Sequence, residues 1–200
     1  NEQKIFAPSL QTLNTQINLC GTLIIRGKTM IGCGNKIIVA KGAVLDLGAN
    51  TKITDFCNID CWISITIGDG STIAHRSQIM DSNHHFVVNI NKRIIAKNMV
   101  PISIGKNTWI CNSTTIKGGA KISNYCIVGS NSLVNKDFSK EGDTCLIAGV
   151  PAKVITKGIF RIYDQDNEDM LINYFSNCDI PYSINDEDIP SLMGGDQHIN

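Results

Sequence analysis

The side chains best suited to acid–base chemistry are two adjacent histidines, His84 and His85, in the segment DSNHHF. An imidazole changes its charge near neutral pH, so a histidine is the usual residue for removing a proton from a hydroxyl group. Asp81 lies four residues before His85 and could orient its ring, although an aspartate is equally common in a surface turn. We interpret His75 as an exposed, solvated side chain, with a place in a ligand cleft as the alternative.

A six-residue period organises the chain from residue 104 onward, where it reads IGKNTW, ICNSTT, IKGGAK, ISNYCI and VGSNSL. A helix needs apolar spacings of three and four, and a simple strand needs a spacing of two, so neither explains a strict six. Short strands joined by corners do, because a large aliphatic residue fills the interior and a small residue lets the chain turn. The aliphatic positions are Ile104, Ile110, Ile116, Ile122, Val128 and Val134, and the small ones are Thr108, Thr114, Ala120, Cys126 and Ser132.

The same period recurs upstream and is interrupted once. Three hexads would close one triangular coil, and successive coils would stack about 4.8 Å apart. The period is lost between Ile79 and Ile104, and the histidine pair lies at the start of this gap. A coil does not require so long an excursion, and such loops are commonly functional. The upstream aliphatic positions are Ile53, Ile59 and Ile65, followed by Ile67, Ile73 and Ile79.

Composition and charge narrow the class of protein. The chain has 32 Ile and 9 Val but only 4 Glu, a mixture that favours strands and excludes an all-helical protein. Residues 1–161 contain all 18 Lys and Arg with nine acids, whereas residues 162–200 contain the other nine acids and no basic residue. The basic body is suited to a polyanionic small ligand.

The apolar runs and the cysteine spacing indicate the cellular compartment and whether a metal is expected. No apolar run approaches the roughly 20 residues of a membrane span, and the first residues lack the apolar core of a signal peptide. The eight cysteines form no CxxC pair and show no zinc-type spacing. We therefore expect reduced thiols in a cytoplasmic protein, with no membrane span and no metal.

The hexads resemble those of the hexapeptide-repeat acyltransferases, which fold as a left-handed parallel β-helix. The segment IAGVPAKVI is similar to the family's terminal IAGxPAKxI, SLVNKDF to its xxVxKDx signature, and WIC to its WIG, with Cys111 in place of Gly. The resemblance implies an all-β fold with a protruding loop and a short C-terminal helix. The expected parts are an N-terminal cap over 1–21, the β-helix over 22–155 with a loop over 81–103, and an acidic extension over 156–200. In that extension the pattern of residues 166–175 predicts the helix, capped by Asp166 or Asn167, whereas His198 receives no role.

The segment DSNHHF resembles the DSDFHP signature of sugar O-acetyltransferases, with Asn83 in place of the second Asp. The resemblance implies that His85 is the general base and leaves His84 as the alternative. It also implies direct transfer without a protein nucleophile, with acetyl-CoA bound lengthwise between two subunits of a homotrimer. The positions that match the family's acetyl-CoA site are Trp109, near the thioester, and Asn112, Gly118, Gly119, Ser130, Lys136 and Lys153.

The function expected from these features is acetyl transfer from acetyl-CoA to a hydroxyl group of a sugar or glycan precursor, within polysaccharide biosynthesis. No nucleic acid is expected as a partner. An N-acetyltransferase acting on an amino sugar is the main alternative, and a non-catalytic solenoid is another. A zinc enzyme resembling the carbonic anhydrases of this fold would need His75 to meet His84 or His85 across a subunit interface.

Overall fold

The computed structural model describes residues 13–194. Most of the expected N-terminal cap, and His198, lie outside this range. The chain divides into two compact units, residues 1–159 and residues 160–200. The first unit is the coil and the second contains the C-terminal helix.

The first unit is built from short parallel strands, numbered here in chain order, that form three flat faces. The chain passes from the first face to the second and then the third before it returns one level higher. The first face contains β1 (Gln16–Leu19), β4 (Lys36–Val39), β7 (Asn58–Cys61), β10 (Gln78–Met80), β15 (Thr115–Lys117) and β18 (Leu133–Val134). The second contains β2 (Thr22–Ile25), β5 (Val44–Leu47), β8 (Ser64–Ile67), β13 (Ile102–Ile104) and β16 (Lys121–Ile122). The third contains β3 (Thr29–Ile31), β6 (Thr51–Ile53), β9 (Thr72–Ile73), β14 (Trp109–Ile110), β17 (Ile127–Val128), β19 (Cys145–Gly149) and β20 (Ala152–Lys157).

Aliphatic ladders run up the inside of each face, as the hexads predict. In the first face Ile79 pairs with Ile59 on one side and Ile116 on the other, and Ile116 in turn pairs with Val134. All four side chains are fully buried. Each ladder removes apolar surface from water along the whole axis, which stabilises the coil by about 25 cal/mol for every Å² buried. The predicted fold class, a left-handed parallel β-helix with a protruding loop and a C-terminal helix, is confirmed.

The small residue of each hexad is buried at a corner of the coil, where a larger side chain would not fit. Two of these positions are cysteines, Cys57 and Cys126, which act as small apolar residues here. Among the described residues all eight cysteines are free thiols. Buried small residues with at most 2% of their surface exposed are Cys57, Ser71, Ser77, Thr108, Thr114, Ala120, Cys126 and Ser132.

The coil extends beyond the hexads at its N-terminal end. Strand β1 pairs in parallel with β4 from Gln16 onward, six residues before the expected start of the β-helix. Its side chains are exposed, including Ile17 and Leu19, so the first level lacks the buried ladder that produces the sequence period. At the other end, β20 turns back and pairs antiparallel with β19.

The second unit contains α1 (Gln165–Phe175) and the short α2 (Ile189–Leu192). Helix α1 lies within one residue of the helix predicted from the sequence. Its N-cap is Asp164, whose carboxylate accepts a hydrogen bond from the backbone N–H of Asn167 at 2.9 Å. The predicted caps Asp166 and Asn167 are wrong because the helix begins earlier, and both lie inside its first turn.

Candidate active site

The histidine pair lies on an antiparallel arm, residues 82–99, that leaves the coil between the first and second faces. A bridge between Ser82 and Met99 closes its base, and the N–H of Asn83 donates to the carbonyl of Asn98 at 2.8 Å. Farther out, β11 (Val88–Asn89) pairs with β12 (Ile94–Ile95). We call this edge of the coil the arm corner, which also includes residues 62–63, 118–120 and 135–138.

Asp81, immediately before the arm, is fully buried, and its carboxylate is hydrogen-bonded to backbone N–H groups. Its carboxylate accepts hydrogen bonds from the N–H groups of Trp62 at 2.7 Å, Ile63 at 2.9 Å and Ser64 at 2.8 Å. These three donors belong to the corner one coil below. The structure therefore does not bring Asp81 to His85, and the role of orienting a histidine falls to a different carboxylate.

That carboxylate is Asp60, which the sequence analysis missed. Asp60 lies on β7 directly beside Met80 in register, and its Oδ2 lies 2.7 Å from Nε2 of His84. The Nε1–H of Trp62 donates to the other oxygen of Asp60 at 2.6 Å. The rings of Trp62 and His84 also meet edge to face, with centroids 5.1 Å apart. Because the carboxylate is an acceptor, it holds a proton on Nε2 of the neutral imidazole and leaves Nδ1 as the acceptor.

A general base must be accessible to the substrate, whereas the carboxylate that orients it can be buried. His84 and Asp60 differ in exposure in this way. The side chain of Asp60 is 8% exposed, whereas that of His84 is 41% exposed and can reach a ligand. The backbone of His84 has a φ of +59°, an uncommon conformation that turns its side chain back toward the coil. His85 is exposed, and its backbone N–H donates to the carbonyl of Asn83. Within residues 13–194, His85 has no side-chain hydrogen bond in the structure.

The residues expected to bind acetyl-CoA separate into two groups. Gly118, Gly119 and Lys136 lie at the arm corner with the histidines. Asn112 and Ser130 are stacked on consecutive levels at the corner between the third and first faces, where the N–H of Asn131 donates to the carbonyl of Asn112 at 3.1 Å. Trp109, on β14, and Lys153, on β20, belong to the third face.

The two glycines support the base of the arm. A Cβ atom on Gly118 would lie 2.8 Å from the carbonyl oxygen of Asp81 and 3.0 Å from that of Val100. The N–H of Gly119 donates to the carbonyls of Val100 and Pro101, and its φ of +87° favours glycine. Their positions are therefore explained by the close approach of the arm to the next coil.

The donor types fit a ligand with amides and phosphates. Asn112 and Ser130 offer polar groups at the surface, and Lys136 and Lys153 are exposed cations. His75 is exposed at the same corner as Asn112, one coil below, and away from the histidine pair. In the described part of the chain no group of three or more His, Cys, Asp or Glu side chains is arranged to hold a metal ion. Nor does any helix between residues 13 and 194 have the length and apolar character needed to cross a membrane.

Asp60 and Trp62 could have been found from the sequence only through the register of the coils. The hexads place Ile59 and Ile79 in one ladder, so Asp60 and Met80 follow as neighbours. The only indication of this contact in the sequence is that the coil register places Asp60 one level below the segment that leads to the two histidines. That indication identifies His84 as the partner of Asp60 only once the arm is seen to fold back over β7.

Comparison with known proteins supports the fold and finds relatives named as O-acetyltransferases. An Escherichia coli protein whose name assigns it O-acetyl transfer in lipopolysaccharide biosynthesis is 29% identical over 135 residues, covering 63% of this chain and 67% of that protein. The galactoside O-acetyltransferase of the same organism is 30% identical over 123 residues, covering 60% of this chain and 54% of that enzyme. The chain thus spans between about half and two thirds of the length of these relatives. It matches no protein-family model.

The solved structures agree on the fold. A hexapeptide-repeat acetyltransferase from Vibrio cholerae, solved with acetyl-CoA, superposes with a TM-score of 0.56 at 23% identity, covering 66% of this chain and 69% of that one. At this identity the likeness shows the fold alone. Together with the hexads and the three-faced coil, it shows that the chain has the β-helix fold of the hexapeptide-repeat acetyltransferases.

Proposed function

We propose that the protein transfers an acetyl group from acetyl-CoA to a hydroxyl group of a sugar or glycan precursor in polysaccharide biosynthesis. The similarity to O-acetyltransferases, one of them named for lipopolysaccharide biosynthesis, supports the reaction class. The observation that carries the proposal is the contact between His84 and Asp60 at the base of the arm. It provides an oriented imidazole at an exposed edge of the coil.

The base in this reaction is His84 rather than His85. Nδ1 of His84 takes the proton of the acceptor hydroxyl as its oxygen attacks the thioester carbonyl carbon. The C–S bond then breaks, and the departing sulfur takes that proton, which gives the acetyl ester and the free thiol of CoA. Asp60 acts by positioning, because it fixes the ring and stabilises the imidazolium that forms between the two proton transfers. Acetyl-CoA supplies an activated acyl group with a good leaving group, so no protein nucleophile is needed.

The acetyl-CoA site lies between two protomers of a homotrimer. This assignment is supported by the separation of the candidate residues within one chain. Gly118, Gly119 and Lys136 lie at the arm corner with His84. Asn112 and Ser130 lie at the corner on the other side of the first face, and Trp109 and Lys153 lie on the third face. A groove between the arm corner of one protomer and the Asn112 corner of its neighbour would unite the two groups. We place this enzyme in the cytoplasm, where thiols remain reduced.

The proposal is tested by following thiol release from acetyl-CoA with a panel of sugars, amino sugars and nucleotide-sugars. His84→Ala should lower kcat by at least about 100-fold, the usual scale for removing a general base. His85→Ala, which removes the neighbouring imidazole, is the matched control and should change kcat less than about threefold. A large loss of kcat in His85→Ala with little loss in His84→Ala would show that His85 is the general base.

The same assay separates the proposed function from its alternatives. Acetylation of amino groups alone would indicate an N-acetyltransferase. Failure to bind CoA, together with absent thiol release for every acceptor, would indicate a non-catalytic solenoid. Sedimentation of the purified protein as a trimer is expected, and a stable monomer that retains full activity would contradict the site between protomers.

A further inference from the structure

The chain segment 82–136, which includes the whole arm, contains charged residues of only one sign. Between Asp81 and Asp137 there are seven basic residues and no Asp or Glu. Elsewhere in the coil the two signs are mixed: residues 26–81 contain Asp46, Asp55, Asp60, Asp69 and Asp81 among six basic residues. The seven are Lys92, Arg93, Lys97, Lys106, Lys117, Lys121 and Lys136.

Four of these cations have partners within the coil. Lys121 forms an ion pair with Asp137 at 3.0 Å, and the Nζ of Lys117 donates to the sulfur of Met80 at 3.2 Å. The other two lie over aromatic rings, Lys106 over Tyr125 and Lys136 over Phe138, with 5.7 Å and 4.9 Å to the ring centroids. Their positions are therefore accounted for by the coil itself.

The other three cations lie on the arm, and all are exposed. Within residues 13–194 the structure shows no ion pair and no side-chain hydrogen bond for Lys92, Arg93 or Lys97. Lys97 immediately precedes Asn98, whose carbonyl accepts from Asn83, so it lies on the arm strand opposite His84. Lys92 and Arg93 lie at the tip, in the turn between β11 and β12. Cations thus lie on the arm segment that runs opposite His84 and at the far end of the arm.

The charge and its placement point to the class of acceptor. We infer that the acceptor is an anionic saccharide, carrying carboxylate or phosphate groups, that binds along the arm. This inference rests on the proposed function. Unpaired cations on one arm attract an anionic substrate and lengthen its stay near the base. A neutral sugar would gain nothing from them.

The test uses a panel of hexoses, each as the neutral sugar, the uronic acid and the 1-phosphate, with the intact protein. For the sugar that is acetylated, we expect kcat/KM for an anionic form to exceed that for the neutral form by at least about tenfold. The uronic acid and 1-phosphate arms distinguish carboxylate from phosphate recognition. The variant Lys92→Gln/Arg93→Gln/Lys97→Gln should reduce the preference to within about twofold, while leaving kcat/KM for the neutral form and the KM for acetyl-CoA unchanged.

A matched variant, Lys28→Gln/Lys36→Gln/Lys41→Gln, removes the same charge from exposed positions in the early coils and should keep the preference. Equal or better use of the neutral sugar would overturn the inference and leave the proposed function intact. A rise in the KM for acetyl-CoA in the arm variant, with an unchanged acceptor preference, would also overturn it, because the arm would then bind the donor. Absence of transfer to every sugar would overturn the proposed function and this inference with it.

Discussion

A buried carboxylate needs hydrogen-bond donors, and the two buried aspartates near the arm, Asp60 and Asp81, are satisfied by different kinds of donor. Asp60 is paired with side chains, the Trp62 indole and the His84 imidazole, whereas Asp81 is paired with three backbone N–H groups. The first arrangement leaves Nδ1 of His84 available to a substrate. The second stabilises the backbone of a corner of the coil. Substitution of Asp60 should therefore lower mainly the catalytic rate, and substitution of Asp81 mainly the stability.

Replacing Asp60 by Asn tests its positioning role. The amide can donate to Nε2, which favours the tautomer with a proton on Nδ1 and so removes the acceptor needed by the hydroxyl. We expect kcat to fall at least about tenfold with the KM for acetyl-CoA unchanged. Steady-state kinetics against both substrates provide the measurement. A purely structural role would predict a loss of unfolding free energy with kcat of the folded fraction unchanged.

Replacing Asp81 by Ala should act on stability instead. The change removes a fully buried carboxylate and leaves the N–H groups of Trp62, Ile63 and Ser64 without their acceptor, so we expect the free energy of unfolding to fall by about 2–4 kcal/mol. Urea unfolding of wild type and variant measures the difference. If the variant kept its stability but lost activity, Asp81 would belong to the chemistry and its backbone contacts would be incidental.

At the scale of the elements, the hexads specify which residues face the interior, because the side chain at the centre of each strand must be large and its corner must be small. For the same reason the sequence predicted the ladders from Ile53 to Val134. Strand β1 was not predicted as part of the coil because its side chains, including Ile17 and Leu19, are exposed and leave no period. The cap of α1 was missed because Asp164, Asp166 and Asn167 are all suitable residue types, and only the backbone shows where the helix begins.

The candidate site was less predictable than the coil. The sequence located the arm and the histidine pair, since both lie where the period breaks. It did not predict Asp60 as the partner, because that contact depends on how the arm folds back over a strand some twenty residues earlier. The acetyl-CoA residues remain a prediction, because Asn112 and Gly118 lie at different corners of one protomer and only the proposed trimer would join them.

Strand β13 allows a direct test of the ladder, because buried and exposed residues are adjacent in it. Ile104→Ala should lower the free energy of unfolding by about 2–5 kcal/mol, since it removes apolar volume from the closed interior. Ser103→Ala, one residue earlier and exposed, should change it by less than about 0.5 kcal/mol. Similar losses for both variants in urea unfolding would mean that the ladder does not dominate the stability of the coil.

For the whole molecule, the charge division of the sequence corresponds to the two compact units. The coil carries almost all of the basic residues, and the smaller C-terminal unit is rich in Asp and Glu. The interior of the coil is uncharged apart from corner carboxylates such as Asp55 and Asp81, and it includes several thiols. Its stability should therefore depend on pH in the range where those thiols lose their protons.

Burial raises the pKa of the Cys57 and Cys126 thiols to about 11 and that of Cys61 to about 12, above the ordinary value of 9.0. Because the folded pKa is higher than the unfolded one, this contribution to stability is fully present below pH 9 and is lost as pH rises toward 11–12. Urea unfolding should show a falling free energy above pH 9. A Cys57→Ala/Cys61→Ala/Cys126→Ala variant should show a shallower decline, and an identical slope would contradict this explanation.

The most direct test of the proposed mechanism is a crystal structure with CoA bound. We predict that the thiol sulfur lies within about 4 Å of the space facing Nδ1 of His84, close enough for an acceptor hydroxyl to contact both. CoA should extend between two protomers, from the arm corner of one to Asn112 and Ser130 of the other. A thiol held far from both His84 and His85, or a CoA molecule bound within one protomer, would contradict it.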